Sequence, residues 1–294
     1  MAQHDDHSPA RGIGRREFLG GSALALAALA GATTAHAGDH GVKSERQPGI
    51  QLYTVRESMA QNVAATLEAV AAIGYKEVEC AGYFDIPPSQ LRRMIADLGM
   101  RSPNSHVDWA KMRDDPRAVI EPAAELGNDF VTVAWLPEEE RKPLDNWKRW
   151  ADILNKGGEI AKRLGLRVAY HNHEFEFLPT DGGVPYDVLL AETDPALVDF
   201  ELDFFWVRKA GGDIGKILAS APGRFTMAHI KDMSAAGDMV DVGAGVIDFV
   251  KLLGTPAGRR VKHLFVEHDN PQDAFRTAAI SYRSLSRYLG ELQA

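Results

Sequence analysis

Two hydrophobic periods alternate along this chain. Short runs rich in β-branched and aromatic residues, at 50–55, 77–81, 102–107, 130–136, 168–173, 198–205, 225–231 and 263–268, read as strands. Between them lie segments with a helical period. The first, 58–73, puts Val63, Leu67, Val70 and Ile73 on one face, and others follow near 89–98, 116–126, 144–164, 186–192, 214–218, 247–253 and 272–292. Several run out at a glycine (Gly99, Gly127, Gly165), as C-terminal capping favours. Strand and helix in strict alternation imply a parallel sheet, and eight such units suit a closed (β/α)8 TIM barrel of about 250 residues. An open doubly wound sheet is the alternative. It lacks support from the turn after the first strand, where Gln51, Leu52 and Tyr53 stand instead of a glycine-rich phosphate loop. No linker divides 49–294, so the pattern predicts one α/β domain.

The N-terminus breaks this pattern. Arg15 and Arg16 precede Phe18 and Leu19, an apolar run extends from Gly20 to about Ala32, and Ala35-His36-Ala37 offers a small-x-small cleavage site. That order reads as a signal peptide over 1–37, and the arginine pair reads as the twin-arginine type. A run this short does not suit a stable membrane span, which needs about 20 residues. The expectation is export in the folded state by the twin-arginine machinery, a periplasmic location, and a flexible lead-in over 38–48.

Charge narrows the partners. The chain carries a formal −8, and Arg11, Arg15 and Arg16 cancel Asp5, Asp6 and Glu17, so cleavage leaves that value unchanged. An acidic surface gives nucleic acid no electrostatic footing. Cys80 is the single cysteine, which excludes an intramolecular disulfide.

In a barrel of this kind the active site lies at the C-terminal ends of the strands. The sequence gathers ionisable residues there: Asn104, Ser105 and His106 on the third strand, and His171, His173, Glu174 and Glu176 on the fifth. Glu201 and Asp203 follow on the sixth, His229, Lys231 and Asp232 on the seventh, and Glu267, His268 and Asp269 on the eighth. Tyr53, Arg56, Glu79, Tyr83 and Trp135 come from the other three. A lone Asp, Glu or His after a strand is commonly a helix cap or a hydrogen-bonded surface group. Successive strands delivering acids and imidazoles at one level point instead to a divalent cation, because such groups are costly to bury together without one. Mixed oxygen and nitrogen donors suit Mn²⁺, Mg²⁺, Co²⁺ or Zn²⁺ better than copper.

Six segments carry a resemblance: IQLYTVR from Ile50, AYHNHEFEF from Ala169, ELDFFWV from Glu201, AHIKDM from Ala228, VGAGVIDF from Val242 and FVEHDN from Phe265. In this order the set resembles the xylose-isomerase-like barrel superfamily of sugar isomerases, epimerases and dehydratases, and in particular its subgroup with an HNH signature. The resemblance implies one divalent ion, Mn²⁺ first, held by Asp203, His229, Glu267 and a fifth-strand residue. Glu176 is the expected fifth-strand ligand because the subgroup keeps a Glu-Phe pair there, with Glu174 and His171 left open. Ala244 departs from the family, in which a Glu often stands between the two glycines of that loop.

A divalent ion beside acids and bases can polarise a sugar carbonyl, acidify the neighbouring C–H and support an enediolate. His173 and Glu267 are the expected acid–base groups and Lys231 the cation that stabilises developing charge, unless it pairs with Asp232. His106, His171 and Trp206 are the expected substrate contacts. The leading expectation is a metal-dependent isomerase or epimerase acting on a carbohydrate or keto-sugar. A keto-sugar dehydratase or lyase and a non-catalytic sugar-binding protein are the alternatives. An endonuclease of this fold would need more metal ligands and a basic groove, against the charge of −8.

Overall fold

Each parallel strand needs a crossover to reach its neighbour, and the helices of this chain supply it. The computed structural model describes residues 46–293. Eight parallel strands close into a barrel: β1 (Pro48–Gln51), β2 (Glu77–Ala81), β3 (Arg101–Val107), β4 (Phe130–Val133), β5 (Arg167–His171), β6 (Val198–Asp203), β7 (Phe225–Ile230) and β10 (His263–Val266). Around the barrel the order is β1-β10-β7-β6-β5-β4-β3-β2. A small antiparallel hairpin, β8 (Asp232–Met233) with β9 (Met239–Val240), sits on the loop after β7. Twelve α-helices are described, α1 (Arg56–Gln61), α2 (Val63–Ile73), α3 (Pro88–Asp97), α4 (Trp109–Asp114), α5 (Arg117–Leu126), α6 (Glu138–Arg141), α7 (Asp145–Arg163), α8 (Pro185–Glu192), α9 (Phe204–Lys209), α10 (Ile214–Ser220), α11 (Phe249–Gly254) and α12 (Ala274–Glu291).

The expected elements are present, with two instructive differences. The helix expected over 58–73 is two helices, α1 and α2. Asn62 between them is extended (φ −158°, ψ 98°), and its side chain accepts the Ala65 N–H, capping α2. The first strand stops at Gln51, whose side chain accepts the Tyr53 N–H and starts a 3₁₀ turn over Leu52–Val55. Tyr53 therefore stands at the barrel mouth, 42 % exposed. The expected signal peptide and most of the lead-in lie outside the described residues. Among the described residues no helix is long and apolar enough to cross a membrane.

The strand period of two sorts the core. Val168 and Tyr170, Phe200 and Leu202, Ala228 and Ile230, and Leu264 and Val266 face outward and join one large buried cluster with helix residues such as Trp147, Trp150 and Leu154 of α7. The intervening residues face the lumen. Phe130, Ala169, Met227 and Phe265 form a separate buried apolar layer there. Gly49 makes room for it, since a Cβ at that position would lie 2.6 Å from Phe265 Cδ1. One layer nearer the N-terminal end, Arg167 pairs with Asp199 at 2.8 Å and His263 with Glu77 at 2.8 Å. Above the apolar layer the lumen is polar.

Candidate metal centre

Lumen-facing positions at the C-terminal ends of four consecutive barrel strands bring His171, Asp203, His229 and Glu267 together. Each offers one ligand atom, all of these lie within 4.8 Å of one another, and all four residues are buried. His171 Nε2 is 3.3 Å from Asp203 Oδ2. His229 Nδ1 is 2.7 Å from Glu267 Oε2 and 3.7 Å from Asp203 Oδ2. The other polar atoms of these side chains are tied to the protein. His171 Nδ1 is 3.1 Å from the Ala134 carbonyl, an acceptor only, so it donates there and leaves the Nε2 lone pair facing Asp203. Asp203 Oδ1 accepts the Trp206 N–H as the N-cap of α9, which leaves Oδ2 for the group. Asn172 accepts the Asp203 N–H at 3.0 Å and so ties the end of β5 to the end of β6.

Lys231 stands beside this group, also buried. Its Nζ reaches Asp203 at 3.1 Å, Glu267 at 2.7 Å and Asp269 at 2.7 Å. Burial alone would push the ammonium down, but the three carboxylates override it and hold its pKa well above the ordinary value. Asp203 and Glu267 likewise escape the upward push of burial, because Lys231 and the imidazoles hold them well below the usual carboxylate range. His173 is also held well below its ordinary value, by burial first and then by His171 and Lys231.

The donor chemistry fits a divalent ion. Two imidazole nitrogens and two carboxylate oxygens are the mixed set that Zn²⁺, Mn²⁺ and Co²⁺ accept. His229 Nδ1 is fully buried and has no hydrogen-bond partner of acceptable geometry, despite its closeness to Glu267. Among the described residues, Glu79, Glu201, Asp203, Glu267 and Asp269 crowd this part of the lumen, with Lys231 as the only lysine or arginine touching them. So many buried acids beside one such cation leave negative charge for a bound metal to balance.

Above the group opens a cavity of about 530 Å³, lined by His106, Trp135, His171, His173, Lys231, Glu267 and Asp269, with Tyr53 among its remaining walls. His106, His173, Lys231 and Glu267 line the cavity. Glu176 does not join them. β5 ends at His171, the chain turns away, and Glu176 lies buried on the 3₁₀ turn Phe175–Phe177, where it accepts from Tyr170 Oη at 2.7 Å and from the His173 N–H at 2.8 Å. Its two oxygens are used there, so the fifth-strand member of the group is His171, at a position expected to touch substrate. Trp206 is also misplaced by the sequence reading. It packs behind His173 and Lys231, with ring centroids 5.4 Å apart and Nζ 5.7 Å from the ring, and lines a neighbouring cleft; Trp135 lines the main cavity instead. Lys231 does not pair with Asp232, whose carboxylate accepts the N–H groups of Gly243, Gly245 and Ile247 and shapes the following loop.

Sequence reasoning placed Glu79, Glu201 and Asp269 at the strand ends but gave none of them a role in the site. The strand period was the available signal for the first two, since Glu79 and Glu201 are lumen-facing residues of β2 and β6.

An eight-stranded parallel barrel with its acids and imidazoles collected at the C-terminal strand ends is the architecture of a TIM-barrel enzyme family. The sequence model of the family described as xylose isomerase-like TIM barrel matches residues 67–281, and the chain belongs to that family. It is 36 % identical over 195 residues to the inosose dehydratase of Lactiplantibacillus plantarum, an alignment covering 58 % of this chain and 63 % of that protein, so the match spans less than two thirds of the relative's length. The fold superposes on a sugar phosphate isomerase/epimerase from Parabacteroides distasonis with a TM-score of 0.72 at 24 % identity, covering 82 % of this chain and 93 % of that one. It also superposes on the IolI protein with a bound zinc atom, with a TM-score of 0.66 at 18 % identity, covering 83 % and 98 %.

Proposed function

We propose that the protein is a divalent-metal-dependent enzyme acting on a keto-sugar or keto-polyol, and that it eliminates water from the carbons beside the carbonyl. The observation that carries this reading is the two-nitrogen, two-oxygen donor group of His171, Asp203, His229 and Glu267 at the floor of the cavity, with Lys231 beside it. The bound ion supplies Lewis-acid polarisation of a carbonyl and hydroxyl pair. His173 lines the same cavity and takes the proton from the carbon next to the carbonyl. Glu267 remains a metal donor, because its Oε2 already pairs with the Lys231 ammonium at 2.7 Å. The electron pair released forms the carbon–carbon double bond, and the hydroxyl leaves from the β carbon as water, taking the proton that His173 has accepted.

Elimination is favoured over isomerisation or epimerisation on one feature of the group. Epimerisation needs acid–base groups on both faces of one carbon, whereas His171 and Glu267 are taken up as metal donors and leave His173 for proton transfer. The sequence relative's name, inosose dehydratase, agrees with elimination. The test is to load the protein with Zn²⁺ or Mn²⁺, add inosose and a panel of ketoses in D₂O, and follow enone absorbance and proton spectra. Enone formation abolished by chelator supports the proposal. An isomer or epimer carrying deuterium moves the assignment to the isomerase reading. Sugar binding unaffected by chelator, with no turnover, leaves a binding protein.

The arginine pair and apolar run before Ala37 support export by the twin-arginine route to the periplasm. Mass spectrometry of the periplasmic form would reveal an N-terminus at Gly38.

A further inference from the structure

His229 is held between two groups of acids. Its Nδ1 faces Asp203 and Glu267, and its Nε2 lies 2.6 Å from Glu79 Oε2. Glu79 is fully buried on the lumen face of β2. Gln51 Nε2 also donates to Oε2, at 2.7 Å, and Asn104 Nδ2 donates to Oε1. Asn104 is itself fixed by reciprocal contacts with Thr132 Oγ1, at 2.7 and 3.0 Å. Side chains from β1, β3 and β7 thus converge on one carboxylate, whose oxygens accept from Gln51, Asn104 and His229.

Two roles compete for this carboxylate. Glu79, His106, Glu201 and His229 present ligand atoms within 4.8 Å of one another, which is the spacing of a second cation site. Yet both oxygens of Glu79 already face side-chain amide donors, whereas a cation would need those lone pairs. We infer that Glu79 is the positioning residue of His229: it accepts the Nε2 proton and so fixes the tautomer whose Nδ1 lone pair points into the upper donor group. The inference rests on the metal site proposed above and names the residue that prepares it. His171 is prepared in the same way by the Ala134 carbonyl, a neutral acceptor. Glu79 offers a carboxyl oxygen instead, its carboxyl pushed up by burial and by Glu201 against the pull of His106 and His229.

The experiment uses the full chain, stripped of metal and labelled with ¹⁵N-histidine. Two-bond ¹H–¹⁵N spectra report the tautomer of His229, identified by its loss in His229→Gln, and competition against a chromophoric chelator reports Zn²⁺ affinity. Once His229 is neutral, wild type is expected to show protonated Nε2 and unprotonated Nδ1, and it is expected to take up one Zn²⁺ per chain. Glu79→Leu is expected to lose the tautomer preference and about 10- to 100-fold in affinity. Glu79→Gln, which keeps an acceptor oxygen, is expected to retain the tautomer and lose less. If the leucine variant does not fold, Glu79→Gln and Asn104→Ala carry the comparison, each with a circular dichroism melt beside it. In metal-free wild type, a neutral His229 that carries its proton on Nδ1 overturns the inference, as does unchanged Zn²⁺ affinity across the variants that fold. Two Zn²⁺ per chain, the second lost in Glu201→Gln, also overturns it by making Glu79 a ligand. A wild type that binds no metal yet shows the Glu79-dependent tautomer keeps the inference and removes the proposed function. Metal uptake with a tautomer indifferent to Glu79 does the reverse.

Discussion

The two faces of a single strand divide the work of this molecule. On β7, Ala228 and Ile230 face the helices and join the large apolar cluster, while Met227 and His229 face the lumen. On β10, Leu264 and Val266 pack outward and Phe265 points inward, followed by Glu267 just past the strand end. An offset of one residue separates side chains that hold the barrel together from those that collect charge. The outward face gains from removing apolar area from water. The inward face concentrates acids that repel one another until something positive joins them. Stability and chemistry are therefore separable by substitution, residue by neighbouring residue.

The strongest way to sharpen this contrast is an inward change. Asp203→Ala should abolish metal uptake and all metal-dependent turnover, read by elemental analysis and the enone assay. The stability of the metal-free chain should change by less than about 2 kcal/mol, the range of a lost helix cap. The opposite change is Trp150→Ala on α7, which empties a fully buried site and strips Glu140 of the Trp150 Nε1–H bond of 3.0 Å. It should cost about 3–5 kcal/mol in urea unfolding while the folded fraction still binds one metal per chain. If Trp150→Ala lowers metal stoichiometry in folded protein, the separation breaks.

Glu176 offers a pH-dependent test, because it is buried but belongs to neither face. Burial pushes its carboxyl up to about 7, against the downward pull of the Tyr170 and His173 hydrogen bonds. A raised carboxyl favours the folded protein most below the unfolded value near 4.5, and that contribution is lost as pH rises through about 7. Between those limits the wild type should lose about 3 kcal/mol of stability relative to Glu176→Gln, a neutral mimic of the protonated acid. Parallel unfolding curves across pH would show it, and a constant difference would contradict it. Smallest of all, Arg117→Ala breaks an exposed pair with Glu121 at 3.0 Å and should change stability by less than about 0.5 kcal/mol.

The fold was legible because a parallel barrel writes itself locally. Each strand is a short β-branched run, each crossover a helical period, and Gly127 ends α5 at φ +88°, as a C-terminal cap requires. Asp203, His229 and Glu267 were legible because each lies within one residue of its strand's C-terminal end. Glu176 was misread because a motif match ignored the turn. The alternation Arg167, Ala169, His171 along β5 already pointed to His171 as the lumen residue at that strand's end. Trp206 was misread for a related reason, since its place behind Lys231 follows from α9 starting directly at the end of β6. The role of Glu79 was hidden more deeply. It depends on contacts with residues 28, 25 and 150 positions away in sequence, which no local pattern encodes.

The apolar layer of Phe130, Ala169, Met227 and Phe265 has a kinetic meaning. With that layer below it and the Arg167–Asp199 and His263–Glu77 pairs lower still, the polar lumen is closed beneath and opens upward into the cavity. Substrate and metal that enter from the cavity should leave in order, last in and first out. A tight substrate analogue lodged in the cavity should therefore slow the escape of the ion beneath it, and chelator should strip the resting protein faster than the occupied one.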